Sequence, residues 1–95
     1  MYRALVHYYF KPDVADKGKN FILTVLYPQA KLLKCHNIEL WEDEKQKGHF
    51  VGTGIWDSKE DSAKFKTFWE EKQDELMSYC SQPLKREVYK VSLHG

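Results

Sequence analysis

Cysteine is scarce in this chain, which has Cys35 and Cys80 among its 95 residues. Two cysteines exclude the disulfide framework on which many small secreted domains depend, and a metal site would have to take histidines from elsewhere. We therefore expect two free, buried thiols and neither a metal nor another cofactor. The neighbouring Cys35 and His36 do not predict a nucleophile and its base, because adjacent side chains at a helix end point apart.

Charge of one sign and long apolar runs are also lacking. The 15 Lys and Arg residues nearly balance the 14 Asp and Glu residues, for a formal net charge of +1. Nucleic acid is not an expected partner, because phosphate binding needs a clustered basic surplus. No apolar run approaches the ~20 residues of a membrane span, and residues 4–10 predict a strand rather than a signal peptide. We expect a cytoplasmic protein without a membrane partner.

Aromatic residues, in contrast, are abundant. Three Trp, six Tyr and five Phe make up 15% of the sequence. A single domain over residues 1–95 should bury about 60 to 65% of the surface that its unfolded chain exposes. That interior is too small for so many rings. We expect a partner subunit or a ligand pocket to cover some of them.

Four segments have the two-residue period of β-strands. They are residues 2–10, 38–41, 49–56 and 86–93. In the first and third of these segments apolar side chains occupy both faces. Such strands cannot leave a purely polar face toward solvent.

Two segments have the helical period. The first, residues 15–34, contains Pro28, which predicts a kink or a break near Tyr27, and Asn37 is expected to close this helix in a left-handed conformation. The second follows a cap at Asp57 or Ser58. Its core-facing side is formed by Phe65, Phe68, Trp69, Lys72, Leu76, Tyr79 and Cys80. The order of the periods predicts an α+β, ferredoxin-like split β-α-β fold (βαββαβ) with a four-stranded antiparallel sheet.

In such a fold both helices cover one face of the sheet and leave the other face open. We expect Leu5, Tyr9, Phe50 and Trp56 on the open face. Burying roughly 500 Å² of apolar surface would contribute on the order of 12 kcal/mol at 25 cal/mol per Å², before the costs of association. The pattern therefore predicts a homodimer in which two sheets pair face to face.

Three stretches of the sequence resemble a known family. They are Ile38-Glu39-Leu40-Trp41-Glu42-Asp43, then Gly54-Ile55-Trp56-Asp57-Ser58-Lys59-Glu60 with the aromatic helix after it, and Phe10-Lys11-Pro12-Asp13. These segments are similar to parts of the antibiotic-biosynthesis-monooxygenase type of dimeric α/β barrel, and the resemblance covers nearly the whole chain. It implies a ferredoxin-like fold whose two sheets form a barrel in the dimer.

The resemblance further implies that the even-numbered face of the third strand lines the barrel interior. Gly52 and Gly54 lack side chains there, which leaves space against the sheet for a flat ligand. Arg3 and Arg86, near strand starts, are expected to be solvated at the rim, where either could bind an acidic group on a ligand. The predicted ligand-binding residues are Tyr9, Trp41, Phe50, Gly52, Gly54 and Trp56, with His7 as the candidate catalytic residue.

Each of these residues also has a structural interpretation. Gly52 and Gly54 could instead mark a β-bulge or accommodate an aromatic ring that lies over the backbone. A single histidine such as His7 is commonly part of a satisfied hydrogen-bond network. Trp41 and Trp56 could simply pack in the core of the dimer.

Three functions are compatible with this pattern: binding of a small aromatic or hydrophobic molecule, non-catalytic scaffolding by the dimer, and cofactor-independent oxygenation. In the oxygenases of the family the deprotonated substrate itself reduces oxygen. That chemistry would make His7 the base, Trp56 the wall beside the reacting ring and Tyr9 a donor to a developing phenolate. The asparagine that some members have four residues before the strand tryptophan is Gly52 here. The sequence leaves open whether the protein is an enzyme, and it does not identify the ligand.

Two further activities are not expected. Haem-degrading relatives use an asparagine, a tryptophan and a histidine at positions that align with Val6, Phe65 and Glu75, so no proximal iron ligand is present. RNA-recognition modules share the order of strands and helices. Residues 47–51 only faintly resemble their third-strand motif, and the near-zero net charge argues against RNA.

Overall fold

Four antiparallel strands form one sheet in the computed structural model, which describes residues 1–95. The strands are β1 (Tyr2–Tyr9), β2 (His36–Glu42), β3 (His49–Trp56) and β4 (Lys85–Lys90), in the spatial order β2-β3-β1-β4. Every neighbouring pair is antiparallel. The predicted ferredoxin-like α+β fold is confirmed. The last strand is shorter than predicted, because β4 ends where its partner β1 does, at the pair of Tyr2 and Lys90.

The first helical region changes its pitch instead of breaking at the proline. A 3₁₀ turn (Pro12–Val14) leads into α1 (Ala15–Phe21), a π-helical segment (Ile22–Leu26) and α2 (Tyr27–Leu32). The backbone N–H of Tyr27 donates to the carbonyl of Ile22, five residues back. Pro28 has no N–H to donate, and the wider π turn lies directly before it. The predicted irregularity at Tyr27 is therefore a π-to-α junction.

The helix α2 ends at Leu32 and is closed by Lys34, so the prediction that Asn37 closes it is wrong. Lys34 has φ +72°, its N–H donates to Lys31 O, and the N–H of Cys35 donates to Ala30 O, both at 3.0 Å. This pair of bonds is the Schellman arrangement. Asn37 has φ +50° but lies inside β2, where the pairing with β3 shifts register. Asparagine tolerates a left-handed backbone, and Asn37 adopts it at a β-bulge and not at a helix end.

The second helical region is divided in two. It comprises α3 (Lys59–Glu71) and α4 (Gln73–Ser78), separated by Lys72, whose backbone is not helical. Of the two predicted caps, Asp57 and Ser58, the N-cap is Ser58, whose hydroxyl accepts the N–H of Asp61 at 3.1 Å. None of the helices is long and apolar enough to cross a membrane.

The covered face of the sheet is the one that packs against the helices. Opposed residues of antiparallel neighbours share a face, and Tyr8 opposes Phe50 while Tyr2 opposes Trp56. Phe50 and Trp56 are 4% and 2% exposed, so the prediction that they lie on the open face is wrong. The covered face is formed by Ala4, Val6, Tyr8, Phe10, Phe50, Gly52, Gly54 and Trp56, and together with the helices it encloses the core.

Candidate functional site

A small cavity lies between the covered face and the helices. This inner pocket has a volume of about 40 Å³, enough for a few water molecules. The sheet contributes Val6, Tyr8 and Trp56 to its wall, and α2 and α3 contribute Ala30 and Phe65. Apolar side chains form most of the lining, as in sites for hydrophobic ligands.

Side chains from elsewhere in the protein fill the space over Gly52 and Gly54. A β-carbon on Gly52 would lie 2.8 Å from Tyr27 Oη and 3.3 Å from the ring of Tyr8. A β-carbon on Gly54 would lie 2.5 Å from Cys35 Sγ. Tyr27 is held in this position by a hydrogen bond from its hydroxyl to the carbonyl of Glu39, at 3.1 Å. The glycines thus permit close packing by α2 and the start of β2, and the pocket is the space left beside them.

Every titratable group in the wall other than Arg86 is protonated and neutral at pH 7. Burial raises the pKa of Tyr8 and of Tyr27, and it raises the pKa of the Cys35 thiol to about 11. Desolvation acts in this direction because it disfavours the charged form. No carboxylate and no imidazole lines the pocket. The wall therefore offers hydrogen-bond donors but no base.

Arg86 also reaches the inner pocket. Its Nη2 donates to Ser62 Oγ at 3.1 Å, but its Nε is buried and has no acceptor. Trp69 Nε1 is a second buried donor; it lies near enough to the Tyr8 hydroxyl to lower the pKa of Tyr8, but it forms no hydrogen bond of normal geometry. Burial lowers the pKa of Arg86, and the nearby Tyr8 and Glu70 oppose that change. The expectation that Arg86 is solvated at the rim is wrong. Arg86 on β4 pairs with Val6 on β1, so it lies on the covered face of the sheet.

The open face carries a chain of polar contacts that crosses three strands. His49 Nδ1 lies 2.9 Å from Asp43 Oδ2, His49 Nε2 lies 3.1 Å from His7 Nδ1, and His7 Nε2 lies 3.5 Å from Glu87 Oε1. The Tyr9 ring stacks on His49 with centroids 4.5 Å apart. His7 and Tyr9 thus belong to one network, as the structural interpretation of His7 anticipated.

The carboxylates at the two ends of this network determine which ring nitrogens of His7 and His49 carry protons. Asp43 also accepts the N–H groups of Lys45 and Gln46, and these bonds, with that of His49, lower its pKa. An ionised Asp43 requires the proton of a neutral His49 on Nδ1, so His49 Nε2 accepts the Nδ1–H of His7. A neutral His7 then presents a lone pair to Glu87, and a protonated His7 presents an N–H.

The predicted site residues lie on two sides of the sheet. His7, Tyr9 and Trp41 lie on the open face, where Trp41 donates its Nε1–H to Glu39 at 2.7 Å. Phe50, Gly52, Gly54 and Trp56 lie on the covered face. One ligand cannot contact both groups within a single chain, because the sheet separates them. The prediction that His7 and Tyr9 form one binding site with Phe50, Gly52, Gly54 and Trp56 is therefore wrong.

Sequence reasoning missed Tyr8 and Tyr27 as pocket residues, and it placed Arg86, a candidate for binding an acidic group, at the rim instead of in the pocket wall. Tyr8 could have been found, since it alternates in phase with Ala4 and Val6. Tyr27 could not, because its position depends on the π-helical turn that precedes it.

No protein-family model matches the sequence, and no curated protein matches it. Several solved structures, in contrast, have a similar fold. An antibiotic biosynthesis monooxygenase is 14% identical, with a TM-score of 0.82 over 98% of this chain and 100% of its own. A candidate enzyme of this name from Nitrosomonas europaea is 16% identical, with a TM-score of 0.82 over 98% and 100%. Another from Deinococcus radiodurans is 18% identical, with a TM-score of 0.86 over 99% and 95%. At these identities the likeness establishes the fold, and it agrees with the resemblance found in the sequence.

Proposed function

We propose that this chain binds a small aromatic or hydrophobic molecule in the inner pocket and acts as a homodimer. The observation that carries the proposal is the buried Arg86 Nε without an acceptor, at the wall of a mostly apolar pocket. Buried donors in folded proteins are nearly always paired, and an unpaired one lowers stability. An oxygen atom of a bound molecule would supply the missing acceptor.

The chemistry of the wall favours binding over catalysis. Oxygenation without a cofactor requires a group that removes a proton from the substrate. Burial keeps Tyr8, Tyr27 and Cys35 protonated, and the candidate base His7 is on the other side of the sheet. A protonated phenol beside a guanidinium is suited to hold an acceptor group, and it is not suited to deprotonate one.

The inner pocket must widen to admit a ring, and Tyr27 is the side chain that can widen it. One hydrogen bond to the Glu39 carbonyl retains its hydroxyl. Tyr27 begins α2 directly after the π-helical segment, and such segments are frequent at functional sites. Outward rotation of this ring would expose the flat backbone surface at Gly52. A planar ligand would then take the place of the Tyr27 ring.

The open face supports the dimer. Trp41 and Tyr89 on this face are 46% and 51% exposed, and Leu5, Tyr9 and Val51 are half-buried between them. Contiguous exposed apolar side chains commonly mark an interface. The face also carries His7, His49, Glu87 and Arg3, so the interface would be of mixed polarity.

Two variants with opposite expected effects test the pocket. The probe is N-phenylnaphthylamine, a neutral aromatic molecule whose fluorescence rises in apolar sites. Ala30→Leu fills the pocket and should weaken binding about tenfold or more, whereas Leu32→Phe, at a position 77% exposed on the same helix, is the matched control. Tyr27→Phe removes the bond that closes the pocket, worth about 1 kcal/mol, and should strengthen binding about fivefold.

Saturable binding at one probe per chain, with this order of affinities, supports the proposal. Absence of saturable binding to the wild-type protein refutes it. Equal affinities of the Ala30→Leu and Leu32→Phe variants would show that the probe binds elsewhere, and this result would also refute it.

A further inference from the structure

A basic cleft lies on the outer surface next to the inner pocket. It has a volume of about 320 Å³ and runs between the edge strand β4 and the first two turns of α3. Its charged residues are Lys59, Lys66, Arg86 and Lys90, and no acidic residue lines it. The whole chain has a net charge of only +1. Four cations without an acid are therefore a local concentration of positive charge that the composition does not predict.

These four cations have no carboxylate partners within the chain. The five contacts between basic side chains and carboxylates in the structure involve His7, Lys19, His36, His49 and Lys85. Glu70 is near enough to influence Arg86 but does not form an ion pair with it. Lys59 lies over the Tyr2 ring, 5.7 Å from its centroid, which holds this ammonium at the cleft. The cleft thus presents unneutralised positive charge to solvent.

Arg86 connects the two sites, because its side chain lines both the inner pocket and the basic cleft. The apolar wall also continues outward, since Tyr2 and Val88 line the cleft beside the lysines. A molecule with an apolar body and an anionic end would match this arrangement of an apolar pocket beside a basic cleft. Its body would lie inward among the apolar side chains and its charge outward among the cations.

We propose that the ligand is an amphipathic anion, with its aromatic or hydrophobic body in the inner pocket and its carboxylate, phosphate or sulfonate group in the basic cleft at Arg86, Lys59 and Lys66. The proposal rests on the proposed function, which supplies the site for the body. Charge-assisted hydrogen bonds to an anion are about twice as strong as neutral ones, and a guanidinium suits carboxylate and phosphate groups by its shape.

A matched pair of probes separates this inference from the proposed function. Anilinonaphthalene sulfonate and N-phenylnaphthylamine share one aromatic skeleton, and only the first is an anion. We expect the anion to bind about tenfold more tightly to the wild-type protein, the equivalent of one charge-assisted bond. The double variant Lys59→Gln/Lys66→Gln should remove this preference and leave the affinity for the neutral probe unchanged. Both lysines are exposed, so the fold should tolerate the change.

Lys64→Gln is the control, since Lys64 is an exposed lysine of the same helix that does not line the cleft. Arg86→Gln should also abolish the preference for the anion, and its folding is checked by circular dichroism. If that variant does not fold, the lysine double variant alone decides. Raising the salt concentration should reduce the preference, because exposed charges are screened.

Each outcome decides for or against the inference. Equal affinities for the two probes, or a preference that survives in the double variant, overturn it and leave the proposed function standing. Binding of neither probe overturns both. Inorganic phosphate is tested as a competitor: if it displaces the anionic probe at a concentration similar to that of phenyl phosphate, the cleft takes a free anion and the amphipathic ligand is refuted. Displacement by phenyl phosphate at much lower concentration supports the inference.

Discussion

Cys35 Sγ occupies the space beside Gly54, 2.5 Å from the point at which a β-carbon on Gly54 would lie. Real β-carbons do not approach a sulfur atom so closely, so a side chain at position 54 requires Cys35 to move. Cys35 is buried and directly follows the turn that ends α2. This contact therefore links the end of α2 to the central strand β3.

Gly54→Ala is expected to destabilise the protein by about 1–3 kcal/mol, the usual cost of an overpacked core. In the Cys35→Ala background the same change should cost much less, because the opposing sulfur is gone. Urea unfolding of the four proteins in this cycle measures the coupling. An equal cost of Gly54→Ala in both backgrounds would contradict the assignment of the strain to Cys35.

The Ser58 cap gives a second prediction. Its hydroxyl accepts the N–H of Asp61 at the start of α3, the helix that carries Phe65 and Trp69 into the core. Ser58→Ala should lower the free energy of unfolding by about 1 kcal/mol, while Ser58→Asp keeps an acceptor and should have little effect. Thermal unfolding of the two variants compares them directly. Similar losses in both would indicate that the cap does not stabilise this helix.

The sequence predicted the fold well because the fold depends on periods that are local. Alternation at residues 2–10 and 49–56 correctly identified β1 and β3, and Ser58 correctly identified the start of α3. Alternation shows which residues of a strand share a face, but it does not show which of the two faces the helices cover. Both faces of β3 carry apolar side chains, so alternation could not place Phe50 and Trp56, and their assignment to the open face was wrong.

The candidate site was harder to predict because its parts meet only in three dimensions. Gly52 and Gly54 were identified as unusual, but the side chains that lie over them, Tyr27 and Cys35, come from a helix and a strand start far away in sequence. Arg86 has an ordinary sequence context. Its importance follows from a buried Nε without an acceptor, which no local pattern indicates.

Trp41 provides a test of the proposed dimer. It is 46% exposed on the open face and opposes Val51 in the sheet. Trp41→Glu should convert the dimer to a monomer, because an unpaired charge in an interface has a large desolvation cost. Leu93→Glu is the control, at an apolar residue that is 90% exposed outside the sheet. Sedimentation velocity distinguishes the states, and a wild-type monomer would refute the dimer.

Asp43 provides a test of the polar network on the open face. Hydrogen bonds from His49 and from the N–H groups of Lys45 and Gln46 lower its pKa below the ordinary 3.8. A carboxylate whose pKa is lower in the folded state stabilises that state fully above its unfolded pKa, and the stability is lost as the pH falls through the folded pKa. Asp43→Asn should therefore be less stable than wild type near neutral pH, and the difference should shrink once the pH falls below about 4.

Urea unfolding from about pH 6 to about pH 2 measures this difference. Glu44→Gln changes an exposed acid in the same turn and controls for the loss of one negative charge. Asp43→Asn and Glu44→Gln should diverge at the higher pH, because only Asp43 accepts the His49 bond that orients the imidazole toward His7. A difference between wild type and Asp43→Asn that is the same at every pH would contradict an ionised Asp43 as the anchor of the network.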